Sequence, residues 1–226
     1  MSNQDVKIKI TEAGPYLVSG HVPLYEKIIV PKGREYEFEN GRELPQAEAY
    51  ALCRCGHSKN APFCDGSHET CGFVGKETAS RDRFHERAEL LEGPGIDLMD
   101  DNRCAYARFC HRKHGNVWEL TEDSINAENI KEAIKAASDC PAGRLVAREK
   151  NGNLIEPSYG PEIDIIQDPQ QGVSSGIFIK GNIPVVAADG FCYETRNRAM
   201  LCRCGGSRNL PYCDASHIPI KFIAEP

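Results

Sequence analysis

Several things are scarce or missing in this chain of 226 residues, and each absence narrows what it can be. No Lys/Arg-rich tract occurs, and 27 basic against 33 acidic side chains leave a formal charge of -6. A surface that grips phosphate needs the opposite sign, so nucleic acid is not an expected partner. The opening MSNQDVKIKI lacks the apolar h-region of a secretory signal. No run approaches the roughly 20 apolar residues of a membrane span. The expectation is a cytoplasmic protein with no membrane partner. G-x-G-x-x-G, the P-loop and G-x-S-x-G are absent, which leaves flavin or nicotinamide chemistry without support and makes an enzyme unexpected. Hydrophobic residues reach only 40%. Small modules with that little apolar material usually need a metal or a partner to complete their cores.

Cysteine is present in excess. Eleven of them in a reducing compartment point to metal chemistry more than to disulfides. Seven lie in or beside a stretch that occurs twice. LCRCGHSKNAPFCDGSH runs from Leu52 to His68, and LCRCGGSRNLPYCDASH from Leu201 to His217, with 12 of the 17 aligned positions identical. The likeness extends upstream, where GPYLVSGHVPL from Gly14 lines up with SGIFIKGNIPV from Ser175. Short β-branched and aromatic runs broken by Gly and Pro read as short strands and turns.

Within each copy the candidate ligands come as two pairs. Cys53 and Cys55 flank one residue, so in an extended segment both side chains leave on the same side. Cys64 and His68 are four apart and share a face if a helix begins near Ser67. The second copy offers Cys202 with Cys204 and Cys213 with His217. Two pairs suit two adjacent irons; Cys3His is also a legitimate tetrahedral zinc set, so a zinc-stapled interaction module is the alternative.

The pattern C-x-C-x2-S-x3-P-x-C-D-G-S-H resembles the signature of the CDGSH, or mitoNEET-type, iron–sulfur family. The first copy meets it at Cys53, Cys55, Ser58, Pro62, Cys64, Asp65, Gly66, Ser67 and His68. The second meets it at Cys202, Cys204, Ser207, Pro211, Cys213, Asp214, Ser216 and His217, with Ala215 in the Gly position. Alanine tolerates helical φ better than positive φ, so a helical conformation is expected there. The resemblance implies a [2Fe-2S] cluster in each copy, held by three cysteines and one histidine. One imidazole in place of thiolate lowers the negative charge on the cluster. The potential is then expected between the roughly -400 mV of all-cysteine plant-type clusters and the roughly -150 to +300 mV of two-histidine centres. Protonation of His68 or His217 is expected to make the clusters labile in mild acid.

Between the copies, CAYARFCHRKHG and ASDCPAG supply Cys104, Cys110 and Cys140. Compared with the bacterial C-x2-C-x2-C run and its distant Cys-Pro, Ala107 stands where the middle cysteine would be. This resembles a divergent ferredoxin domain, and the three cysteines suffice for [3Fe-4S]. A [4Fe-4S] cluster needs an outside ligand, for which His111 or His114 is near in sequence. The alternative is a degenerate ferredoxin fold with its cysteines in the core. Cys71 and Cys192 have no counterparts in the other repeat and read as small core residues.

The expected fold is mainly β with small helices (α+β). Two CDGSH-type strand modules pack as an intramolecular pseudo-dimer, with strands around 15–25 and 177–186 in a shared sheet, plus a small ferredoxin-like α+β insert. The expected divisions are a first module (1–78), a linker (79–101) with a helical turn near Phe84, and the ferredoxin-like unit (102–148). A second linker (149–174) and a second module (175–226) complete the chain. Asn126 to Ser138 reads as a helix, with Ile130 and Ile134 on one face. The chain is expected to be a monomer whose partner is a redox protein or an apo-protein that accepts a cluster.

Overall fold

The computed structural model describes residues 6–224. The first copy contributes β1 (Lys7–Ile10), β2 (Tyr16–Ser19), β3 (Leu24–Lys32), β4 (Glu35–Asn40) and β5 (Ala49–Leu52). The middle of the chain holds α1 (Phe84–Arg87), β6 (Glu89–Leu91), β7 (Asp97–Asp100), β8 (His111–Arg112) and β9 (Gly115–Asn116). It continues with α2 (Val117–Glu122), α3 (Ala127–Ser138), β10 (Leu145–Arg148) and β11 (Leu154–Ile155). Last come β12 (Glu162–Asp168), β13 (Val173–Lys180), β14 (Val185–Val186) and β15 (Arg198–Leu201). The protein is therefore mostly β, with two repeat modules around a middle domain.

The two modules exchange a strand. One sheet runs β14-β1-β2-β5 and the other β15-β13-β12-β3-β4. In each, an antiparallel trio from one copy accepts on its free edge a parallel strand from the other: β14 beside β1, and β3 beside β12. The registers match, since Tyr16 faces Leu52 and Ile177 faces Leu201. This places Tyr16 opposite Ile177 in the pseudo-symmetry, and Gly14 opposite Ser175. The expected sharing of a sheet by the 15–25 and 177–186 runs is met twice, β2 lying in one sheet with β14 and β3 in the other with β13. β2 and β13 already have neighbours on both sides, so only the strands that follow them cross over.

The sequence pattern explains the exchange. β1 reads KIKI with Ile8 and Ile10 fully buried and both lysines exposed, the alternation of a half-buried strand. β12 and β13 are buried almost throughout, as strands covered on both faces must be. One apolar cluster joins Ile8, Tyr16 and Leu24 to Ile163, Ile177 and Leu201. Each such buried side chain contributes about 1.5–3 kcal/mol, and the cluster draws them from both modules.

The middle domain is a sheet in the order β11-β10-β7-β6, covered by α2 and α3. Asn116 caps α2 and Asn126 caps α3 through their side-chain oxygens. Residues 79–101, expected as a linker, carry α1 and two of the four strands of this sheet. Residues 149–174 likewise hold β11, β12 and the start of β13. Both segments are tied in by backbone pairing that their charged and Pro/Gly-rich composition does not advertise: β7 pairs along its length with β10, and β12 with β13.

Candidate metal centres

Each Cys/His loop leaves the last strand of its trio. β5 ends at Leu52 and β15 at Leu201, so Cys53 and Cys202 are the next residues. Cys53 and Cys55 place their Sγ atoms 3.7 Å apart, and Cys202 and Cys204 place theirs 3.5 Å apart. The chain then doubles back. The Cys53 N–H donates to the Pro62 carbonyl and the Cys64 N–H to that of Ala51, matched by Cys202 to Pro211 and Cys213 to Met200. Ser58 and Ser207 close this turn by donating to the carbonyls of Phe63 and Tyr212. Asp65 accepts from the N–H groups of Lys59 and Ser67, which hold its carboxyl well below the usual range. Burial pushes Asp214 up, but hydrogen bonds from Ser216 and Arg208 outweigh it and leave it lowered.

A short 3-10 turn, Ser67–Glu69, presents His68, with Nδ1 3.4 Å from Cys64 Sγ. His217 Nδ1 stands at the same 3.4 Å from Cys213 Sγ. The residue before each Ser-His is left-handed, Gly66 at φ 89° and Ala215 at φ 66°. The helical φ expected at Ala215 is thus wrong: the turn geometry prevails over the alanine's preference.

These spacings can be tested against a metal. A tetrahedral ion bonded at about 2.3 Å to sulfur and about 2.0 Å to nitrogen separates two sulfurs by about 3.8 Å, and a sulfur from a nitrogen by about 3.5 Å. Every pair matches two ligands of one metal atom. Among the described residues no three His, Cys, Asp or Glu side chains are grouped closely enough to hold a single ion. The donors of each quartet stand close in two pairs, Cys-x-Cys and Cys-x3-His, a set whose chemistry suits iron–sulfur ligation.

The thiols are primed unequally. Burial pushes Cys55 up to about 12 and raises Cys64 and Cys213. In the second copy the hydrogen bond between Cys202 and Cys204 lowers the first thiol and raises the second. Metal loading must displace such protons.

Two features went unread in the sequence. The residue inside each Cys-x-Cys is a buried arginine. Arg54 donates to the carbonyls of Gly14 and Thr11, and Arg203 to those of Ser175 and Ile166. Their identity in both copies was the available signal. The Tyr16 hydroxyl reaches across the modules to the carbonyls of Cys202 and Pro211. Because Ile177 occupies the equivalent position, no comparison of the repeats reveals this tie. The loops also meet directly, Cys55 forming an antiparallel bridge with Cys204.

In the middle domain, Cys104, Cys110 and Cys140 line one cavity together with Trp118 and Arg144. Burial, with the nearby Cys140 and Cys104, pushes Cys110 up to about 12. Three soft donors around one hollow fit an iron–sulfur cluster held by three cysteines. Neither His111 nor His114 lines the cavity; both are exposed on or beside the β8–β9 hairpin, so sequence proximity misleads for a fourth ligand. Cys71 is half-buried and Cys192 exposed, which corrects their reading as core residues.

This arrangement defines a class: a protein with two paired Cys3His quartets and, between them, a cavity lined by three cysteines. Comparison with protein families matches residues 13–69 and 175–218 to the family described as iron-binding zinc finger CDGSH type. Residues 91–150 match the one described as divergent 4Fe-4S mono-cluster. No curated protein and no solved structure matches the chain. The chain is thus an iron–sulfur protein carrying two CDGSH-type domains with a divergent 4Fe-4S-type domain between them.

Proposed function

We propose that the protein binds two [2Fe-2S] clusters, one on Cys53, Cys55, Cys64 and His68, the other on Cys202, Cys204, Cys213 and His217. A third cluster, [3Fe-4S] or [4Fe-4S], sits on Cys104, Cys110 and Cys140. The protein serves as a single-electron carrier, or as a store that hands clusters to apo-proteins, rather than as a catalyst. The observation that supports this best is the pairing of ligands at 3.4–3.7 Å within each Cys-x-Cys and Cys-x3-His.

A bound [2Fe-2S] cluster takes up and releases one electron at a time. The chain's own part is to hold the ligands rigidly and to place charge around them. Cys-x-Cys and Cys-x3-His each supply one iron's protein ligands. Asp65 and Asp214 pin the loop that carries the histidine, and Arg54 and Arg203, the middle residues of each Cys-x-Cys, bury their guanidinium groups against backbone carbonyls of neighbouring segments. A fixed positive charge in a low-dielectric site favours the more negative, reduced state. The partner is a redox protein or an apo-protein acceptor. Among the described residues no helix is long and apolar enough to cross a membrane.

Anaerobic purification with iron and sulfide quantified alongside EPR of the reduced protein tests the reading. About four irons per chain are expected from two [2Fe-2S] clusters and more with the third. A colourless, zinc-loaded protein supports the zinc-stapled module instead.

A further inference from the structure

The two CDGSH sites share their ligands and differ in their surroundings. At the first, Cys64 and His68 are both partly exposed. At the second, Cys213 is 3% exposed and His217 only 1%. Three independent pieces make that difference. The outer nitrogen of His217, Nε2, lies 3.3 Å from the Ser175 hydroxyl. The equivalent of Ser175 is Gly14, which has no side chain to offer His68. The loop between Cys104 and Cys110 lies against the second site, where Ala105, Ala107 and Phe109 pack in one apolar cluster with Cys213. Arg108 from that loop fixes it through a two-pronged ion pair, 2.7 and 2.9 Å, to the buried Asp168. Finally, Phe222 lies over Arg203, with its backbone bonded to His217 and Ser174. The first site has a partial counterpart in Phe73 over Arg54, but among the described residues no apolar cluster joins its cysteines to the middle domain as Cys213 is joined.

We propose that the first site is the exchange site, from which a cluster passes to an apo-protein presenting thiol ligands. The second site keeps its cluster beneath a cover supplied by the middle domain. This rests on the two-cluster reading above. Handover at the first site is ligand substitution without change of oxidation state. Bonds from iron to Cys53, Cys55, Cys64 and His68 break as bonds to four acceptor thiolates form. Four acceptor thiols lose protons, three released cysteines regain them, and one proton goes to solvent. The Cys-x-Cys halves do not make the difference, since Cys204 is partly exposed and Cys53 and Cys55 are buried. An incoming ligand reaches the Cys64–His68 half of the first site directly, but must wait at the Cys213–His217 half of the second for the 104–110 loop to open.

The test is release from the fully loaded chain at pH 7.5, challenged with excess iron chelator. Samples taken over time are reduced and their [2Fe-2S] spins counted by EPR. Two phases of equal amplitude are expected, the slow one at least about tenfold slower because access requires local opening. Cys64→Ala, which dismantles the first site, should leave only the slow phase. Arg108→Ala and, independently, Ser175→Gly should accelerate the slow phase and leave the fast one unchanged. A single rate for both clusters, or a slow phase that survives in Cys213→Ala, overturns the proposal while the two-cluster reading stands. A chain with no [2Fe-2S] signal overturns that reading itself.

Discussion

At Ala215 the second loop takes a φ of 66°, where the first loop uses Gly66 at 89°. An L-residue with a Cβ loses about 1–2 kcal/mol in this conformation, and glycine gives back part of that through its larger unfolded-state entropy. Ala215→Gly should therefore stabilise the fold by about 0.5–1 kcal/mol, and Gly66→Ala should destabilise it by a similar amount. The midpoint of urea unfolding reports both; an Ala215→Gly variant no more stable than the parent would show that the turn relaxes around alanine. His217 carries a second prediction. Burial lowers its imidazole to about 4 from 6.5. Above about pH 6.5 neither the folded nor the unfolded chain is protonated there, and the full stability is present. Between pH 6.5 and 4 the unfolded chain binds the proton and the folded one does not, so stability of the metal-free protein drops as pH falls, on the order of 3 kcal/mol. Urea midpoints across this range should slope in the parent and flatten in His217→Gln; parallel slopes would assign the loss to other groups.

Element by element, what could be read from the sequence followed from how local the governing interactions are. The Cys/His loops were legible to the residue because ligand chemistry fixes spacing, and the structure brings each expected pair within 3.7 Å. Helix α3 was legible too, since Ile130 and Ile134 mark its apolar side and Asn126 caps it. The strand exchange was only half legible. Matching runs around Tyr16 and Ile177 announced equivalent modules, but which strand crosses over depends on open sheet edges far apart in the chain. Strands β6 and β7 were hidden for another reason. Glu89 and Asp97 interrupt the apolar pattern, yet Asp97 is buried and satisfied by Lys150 and by the Gly93 N–H. Ser175 escaped because a hydroxyl in a strand has no signature until a histidine is folded against it.

Taken whole, the molecule is one core divided between two copies of a metal site, with a third domain laid against the second copy. The apolar cluster drawing on both modules and the Tyr16 hydroxyl on the Cys202 and Pro211 carbonyls make the modules interdependent. The bridge between Cys55 and Cys204 brings their metal loops into backbone contact. Glycine is required at that crossing, because a Cβ on Gly56 or Gly205 would stand 2.5 or 2.4 Å from the facing cysteine's carbonyl oxygen. The central proposal is that each Cys3His quartet holds two irons through its two ligand pairs. The most direct measurement is metal and acid-labile sulfide content of the folded chain with Cys104, Cys110 and Cys140 all replaced by alanine, so that only the paired sites remain. The account predicts about four irons and about four sulfides per chain. About two zinc ions with no sulfide would contradict it.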